Sequence, residues 1–170
     1  MTKKQASPRS AERSPARRRS DKTQATTVQD VMVTNVVTIE PAASLADAAR
    51  AMTEANIGML PVVDDGKVTG VITDRDIVVR GVARPVDASS TPVGDCQSSD
   101  VICARPDWTT DHAMKAMSEA KIGRLPVVDT GGQLVGIVTL SSMALRASNK
   151  SEALETAQEV SRRSVRESAV

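Results

Sequence analysis

The residues best suited to chemistry lie in a polar segment, 70–76, where an apolar run ends and a helix-like pattern begins. Thr73 stands at this junction, where its hydroxyl and free backbone N–H groups favour an anion such as phosphate. Asp76, three residues on, offers two carboxylate oxygens that suit a ribose diol, at roughly 1.5–3 kcal/mol for each charge-assisted hydrogen bond. Arg75 beside them can neutralise phosphate. The same pattern also fits a simple helix cap, in which Thr73 and Asp76 only hold the helix end.

The region that carries this polar turn occurs twice in the chain. Residues 28–77 and 93–143 share one pattern at a spacing of about 65 positions, and residues 57–64 return as 122–129. A repeat of this length indicates two copies of one supersecondary unit, which are too few for a solenoid. We therefore expect the copies to pack on each other about a pseudo-twofold axis with clefts between them. Both polar turns then face a cleft, and this context favours ligand binding over capping alone.

The composition limits the classes of protein to which the chain can belong. Of its 170 residues 40% are hydrophobic, with one Trp and no Tyr or Phe, so the core is aliphatic and aromatic platforms for nucleic acid are scarce. No window reaches the roughly 18 apolar residues of a membrane helix. One His and two cysteines, Cys96 and Cys103, match no metal spacing, and no nucleophile–base arrangement is visible. The sequence predicts no catalytic residue and no metal, and reduced thiols indicate a cytoplasmic protein.

Helix and strand signals give each copy the order β-α-β-β-α. In the first copy they predict strands at 36–39, 60–63 and 68–72, a hairpin turn at 64–67, a helix from Ser44 with Asp47 as capping partner that Gly58 ends, and a helix from Asp74. In the second copy they predict strands at 101–103, 125–128 and 134–138, and helices from Thr110 or Asp111 to Ala120 and from Ser141 or Ser142 to about Ala147.

Composition divides the chain into a tail (1–26), a first repeat (27–82), a linker (83–92), a second repeat (93–147) and an extension (148–170). The tail carries eight Lys or Arg against two acidic residues and too few apolar residues to fold, so we expect disorder. It could instead bind RNA, DNA or another polyanion by counterion release. The extension has a helix-favouring composition and is interpreted as a surface or partner-docking helix.

Three features resemble the CBS-domain pair, or Bateman module, of the small stand-alone bacterial signal-transduction type. They are the run that contains Thr38, the Asn-Ile-Gly-x-Leu-Pro-Val-Val-Asp segment at 56–64, and the Gly-x-Ile-Thr-x-x-Asp turn at 70–76. The resemblance covers about residues 28–147. It implies an α+β fold of two β-α-β-β-α units packed sheet to sheet, and pairing of two modules through their helices into a flat homodimer. It also implies clefts that bind an adenosine compound: AMP, ADP, ATP, NAD or S-adenosylmethionine.

Carried over by position, the resemblance assigns a first cleft to seven residues. They are Val37, Thr38, Ile72, Thr73, Arg75, Asp76 and, from the opposite repeat, Arg124. Asp76 would hold the ribose hydroxyls, and Thr73 the phosphate or ribose. The first three residues would contact adenine through backbone and apolar atoms. Arg124, the residue before Leu-Pro, would reach the phosphates, although it also suits the end of a helix as a solvated cation.

The second cleft would be formed by Met59, Cys103, Val138, Thr139 and Ser142. It is expected to bind less tightly, because Ser142 and Met59 replace the carboxylate and the guanidinium of the first cleft. Losing one charged ribose contact corresponds to roughly 10–100-fold in affinity.

The sequence therefore predicts a non-catalytic regulatory sensor that binds an adenine nucleotide between its repeats. It would signal to an unidentified downstream protein by a conformational change of the module or its dimer. The alternative is a nucleic-acid or polyanion-binding protein that uses the basic tail, with the pair as a dimerisation scaffold. A purely structural dimerisation module with vestigial clefts is a third possibility.

Overall fold

A computed structural model describes residues 26–146 and 154–158 of the chain. The predicted basic tail, apart from residue 26, and most of the C-terminal extension lie outside the described residues. Within the extension, residues 154–158 are helical. The elements are α1 (Val28–Val31), α2 (Leu45–Ala55), β1 (Met59–Asp64), β2 (Lys67–Thr73), α3 (Asp74–Asp76) with a π-helical continuation (Ile77–Val82), a 3₁₀ turn (Val93–Asp95), α4 (Thr110–Ala120), β3 (Arg124–Val128), β4 (Leu134–Thr139) and α5 (Leu140–Arg146).

Helix α2 begins at the predicted cap and ends three residues before the predicted stop. The Ser44 hydroxyl accepts from the Asp47 backbone N–H at 3.1 Å and donates to the Asp47 carboxylate at 2.7 Å, which is the expected capping box. Asn56 ends the helix in the left-handed conformation, with φ 52°. Gly58 was the wrong residue for this role, because asparagine also adopts that conformation at low cost.

The two hairpins follow their turn chemistry. Strands β1 and β2 pair antiparallel through the hairpin turn expected at residues 64–67, where the φ angles of Asp65 and Gly66, 46° and 77°, are those of a type I′ turn. Strands β3 and β4 also pair antiparallel, through a longer connection in which Gly132 has a φ angle of 81°. Each observed strand extends its predicted range by one or two residues.

The first strand predicted in each copy does not form. Residue Ile39 makes a single parallel bridge with Val62, donating to the Pro61 carbonyl at 3.1 Å and accepting from Val63 at 2.9 Å. The next bond of such a ladder would be donated by the N–H of Pro61, which proline lacks, so pairing stops there. In the second copy Ala104 makes the corresponding bridge, and Pro126 stops it for the same reason.

Each hydrophobic core contains residues from both repeats. The cluster around α4, β3 and β4 includes Val28 and Val31, which precede the first repeat's own helix α2. The cluster around α2, β1 and β2 includes Val93 and Cys96, which belong to the second repeat in sequence. Residues 28–33 and 93–98, here called the exchanged arms, therefore complete the core of the opposite repeat.

The exchanged arms also pair with the opposite sheets. Val33 and Ile137 exchange two backbone hydrogen bonds of 2.9 Å, so the first arm lies along β4. Ser98 and Val71 exchange bonds of 2.9 and 3.0 Å, so the second arm lies along β2. The two pairings are equivalent under the sequence repeat, which agrees with a pseudo-twofold arrangement.

A glycine in each sheet leaves room for the arm that crosses it. A Cβ atom on Gly70 would overlap the side chain of Gln97, and one on Gly136 would lie 2.9 Å from the sulfur of Met32. Neither glycine has a positive φ angle, so both are required for space rather than for backbone conformation.

We predict that Gly70→Ala lowers the free energy of unfolding by about 1–3 kcal/mol, because the added methyl overlaps the Gln97 side chain and forces it out of its packed position. In a Gln97→Ala background the same change should be neutral or slightly stabilising, because alanine suits a strand interior better than glycine. Urea unfolding of the two single variants and the double variant measures the coupling. Equal losses in both backgrounds would contradict the close packing of Gln97 on Gly70.

Candidate functional site

The polar turn at the end of β2 forms a complete capping box. Thr73 is the N-cap of α3, and its hydroxyl accepts from the Asp76 N–H at 3.1 Å. In return, one Asp76 carboxylate oxygen, Oδ2, accepts from the Thr73 N–H at 3.0 Å and from the Thr73 hydroxyl at 2.7 Å. The two residues therefore do cap the helix, and the next point is whether the carboxylate can still accept a hydrogen bond from a ligand.

The second carboxylate oxygen of Asp76 has that capacity. Asp76 Oδ1 lies 3.5 Å from Nη2 of Arg80, which is a long ion pair, and the Asp76 side chain is 16% exposed. An ionised carboxylate has about four acceptor positions, and the two on Oδ2 are filled by Thr73. A ligand hydroxyl would consequently bind at Oδ1, or would have to displace the Thr73 hydroxyl from Oδ2.

Arg80 contacts the carboxylate of the polar turn, and sequence reasoning missed it. Its Nη1 donates to the carbonyls of Cys96 and Gln97 at 2.8 and 2.9 Å, and its Nη2 donates to the Ser98 hydroxyl at 3.3 Å. A cation four residues after a carboxylate on one helix was the available signal, since such residues are neighbours on the helix surface. No local sequence pattern indicated that Arg80 would contact the exchanged arm.

The residues expected to contact adenine lie at the same end of the first sheet as the polar turn. The Ile39–Val62 bridge sets residues 36–39 beside β1, and β1 pairs Leu60 with Ile72 of β2. Val37 is 42% exposed and Thr38 is also exposed, so both can be reached by a ligand. Ile72 is fully buried in the core, which leaves its backbone as the part near the site.

The register of the two hairpins places Met59 and Arg124 beside the polar turns of their own repeats. Met59 pairs with Thr73, and Arg124 pairs with Thr139. Arg124 and Arg75 are exposed, and among the described residues the ion pair of Asp76 is with Arg80 rather than Arg124. Approach of Arg124 to Asp76 through a shared ligand stays a prediction.

The second polar turn has the same shape without the charge. Ser142 N–H donates to the Thr139 hydroxyl at 3.0 Å, and the Ser142 hydroxyl donates to the Thr139 carbonyl at 2.9 Å. Val138 is fully buried, and Met59, assigned to the same cleft, is also buried. Burial raises the pKa of the Cys103 thiol, so this half-buried cysteine is a neutral thiol at pH 7.

A groove of about 520 Å³ lies elsewhere on the first repeat. It is lined by α2, the loop that follows it, and α3 with its π-helical continuation, including Met52, Ile57, Asp74 and Val78. None of the seven residues assigned to the first cleft lines this groove.

The described residues give no sign of a metal centre or a membrane span. Across residues 26–146 and 154–158, no group of three His, Cys, Asp or Glu side chains is placed to hold an ion. His112 stacks on Trp108, with ring centroids 4.1 Å apart. In the same part of the chain, every helix is too short or too polar to cross a bilayer.

The family profile of the CBS domain matches residues 28–81 and 93–147, the two halves of this architecture. The chain belongs to the CBS-domain family. CBS domain-containing protein YhcV of Bacillus subtilis is 38% identical over 125 residues, which cover 73% of this chain and 88% of that protein.

Solved CBS pairs share the fold and differ in what they bind. The CBS domain pair of protein MJ0100, in complex with 5′-methylthioadenosine and S-adenosyl-L-methionine, is 31% identical, with a TM-score of 0.65 over 75% of this chain and 99% of that one. CBSX2 in complex with AMP is 29% identical, with a TM-score of 0.64 over 72% and 96% of the two chains. Hypoxic Response Protein I, with two coordinated zinc ions, is 32% identical, with a TM-score of 0.66 over 71% and 98%.

Proposed function

We propose that this CBS pair is a non-catalytic regulatory sensor that binds an adenosine compound, AMP, ADP, ATP or NAD, beside the polar turn at 73–76. The observation that carries the proposal is the Asp76 carboxylate, whose side chain is 16% exposed and whose Oδ1 is not used by the capping box. It lies at a sheet end shared with the accessible Val37 and Thr38. Two similar CBS pairs have been crystallised with adenosine compounds, which supports the ligand class.

The proposed contacts divide the ligand into three parts. Adenine lies against Val37 and Thr38, and the ribose hydroxyls donate to Asp76. The phosphates lie near Thr73, where the side chains of Arg75 and Arg124 supply positive charge. Both arginine side chains are exposed, so they can reorient toward a ligand at small cost.

The second cleft is proposed to bind the same class of ligand less tightly. Ser142 stands where Asp76 stands, and its hydroxyl already donates to the Thr139 carbonyl. A neutral hydroxyl offers weaker hydrogen bonds to a diol than a carboxylate does. The proposal also includes a cytoplasmic site of action, because the free thiols Cys96 and Cys103 suit a reducing compartment.

Ligand binding is proposed to act on a homodimer. Val78, Val79 and Val82 of the π-helical continuation are 56%, 52% and 73% exposed, next to the groove on α2. Leu145 of α5 is 88% exposed. It occupies the position in the second repeat that Val79 occupies in the first. Equivalent apolar positions on both repeats suit an isologous contact with a second copy. A ligand shifts such a dimer only if it binds one arrangement more tightly than another.

We predict that Asp76→Asn weakens binding of the best adenosine compound by about 10–100-fold, because the neutral amide keeps the shape of the cap but loses the charged ribose contact. Asp74→Asn is the matched control: it removes the same charge from an exposed neighbour outside the site and should leave affinity unchanged. A thermal-shift screen finds the ligand, and calorimetric titration gives affinity and stoichiometry.

Equal affinity of Asp76→Asn and the wild-type chain would contradict the site. Binding of no adenosine compound would contradict the sensor function and favour a structural module. Salt-sensitive binding of RNA or DNA that is lost with residues 1–25 would favour the polyanion-binding alternative.

The dimer face gives a separate prediction. Val78→Glu combined with Val82→Glu should convert a dimer into a monomer, because two carboxylates would be buried without partners. Val33→Glu, which places a charge on an exposed position of the first exchanged arm, should remain dimeric. Light scattering after gel filtration measures the mass. A wild-type monomer, or a double variant that stays dimeric, would contradict this interface.

A further inference from the structure

The side chain of Arg80 joins the candidate ligand carboxylate to a segment of the other repeat. Its Nη2 lies 3.5 Å from Asp76 Oδ1 and 3.3 Å from the Ser98 hydroxyl. Its Nη1 donates to the backbone carbonyls of Cys96 and Gln97. Only 36% of the Arg80 side chain is exposed, so these contacts are partly shielded from water.

The acceptors of Arg80 lie on the second exchanged arm, 93–98, at the point where it joins the first sheet. The Ser98 N–H donates to the Val71 carbonyl at 2.9 Å, and Ser98 accepts from Val71 in return. The planar guanidinium can hold several acceptors at once in a fixed geometry, whereas an ammonium group acts as a point charge. Arg80 therefore holds the arm against β2 from the side on which Asp76 stands.

We propose that Arg80 is a positioning residue that couples occupation of Asp76 to the exchanged arm 93–98. This inference rests on the proposed function, because it takes Asp76 as the ribose ligand. A ligand hydroxyl at Asp76 Oδ1 shares the oxygen that Arg80 Nη2 faces. The guanidinium then interacts less with the carboxylate and more with the acceptors of the arm, which is held more firmly on β2.

The coupling belongs to the first repeat alone. Ser142 stands in the place of Asp76 in the second repeat, so no carboxylate is available there to a ligand or to a cation. The first exchanged arm, 28–33, pairs with β4 through Val33 and Ile137 in the same way as the second arm pairs with β2. It therefore serves as an internal reference in the same molecule.

The test is backbone hydrogen exchange of the full chain, ligand-free and with AMP as the probe. Without ligand, Arg80→Ala should speed exchange at residues 96–98 by about tenfold or more, because charged hydrogen bonds to the arm are lost, and should leave residues 31–33 unchanged. At AMP concentrations that saturate both proteins, AMP should slow exchange at 96–98 in the wild-type chain but not in Arg80→Ala. Arg84→Ala, the loss of an exposed cation four residues on, should behave as wild type.

Arg80→Lys provides a second variant should Arg80→Ala fail to fold. It keeps the charge, and it should restore part of the ligand-free protection but little of the response to AMP. Equal ligand-free exchange at 96–98 in wild type and variant would overturn the role of Arg80 on the arm. Equal slowing by AMP in both would overturn the coupling. If the wild-type chain binds no adenosine compound, both the proposed function and the coupling fail. The ligand-free comparison then still decides whether Arg80 holds the arm.

Discussion

Reciprocal exchange of short arms between the two repeats is the constraint on which the rest of the structure depends. Val28 and Val31 fill the core of the second repeat, and Val93 and Cys96 fill that of the first, so neither core is complete without the other repeat. Each two-stranded hairpin is also extended by a residue of the opposite arm. A two-stranded hairpin alone is marginally stable. The exchange supplies the missing apolar area and fixes the position of one repeat on the other.

The candidate site is a consequence of this arrangement. The polar turn follows β2, and the second exchanged arm lies along this strand. The Arg80 side chain therefore contacts both Asp76 and the arm. Because Arg80 contacts both Asp76 and the arm, a change in the partners of the carboxylate reaches the other repeat through a single guanidinium rather than through a long chain of contacts.

Local features of the fold followed from the sequence, and features that depend on distant partners did not. The Ser44 cap and the Asp65-Gly66 turn are set within four residues, and both form as expected. The β-branched run at 36–39 has the composition of a strand. It does not form one because its neighbour in β1 is Pro61, a residue distant in sequence that has no N–H to donate. The positions of Thr73 and Asp76 were predictable from the turn, whereas the contact of Arg80 with the arm required knowledge of the exchange.

A crystal structure of the chain grown with AMP tests the central claim most directly. The account predicts a ribose hydroxyl within hydrogen-bond distance of Asp76 Oδ1, adenine against Val37 and Thr38, and Arg124 turned toward the phosphate. A nucleotide bound at another surface, with Asp76 still engaged only by Thr73 and Arg80, would contradict it.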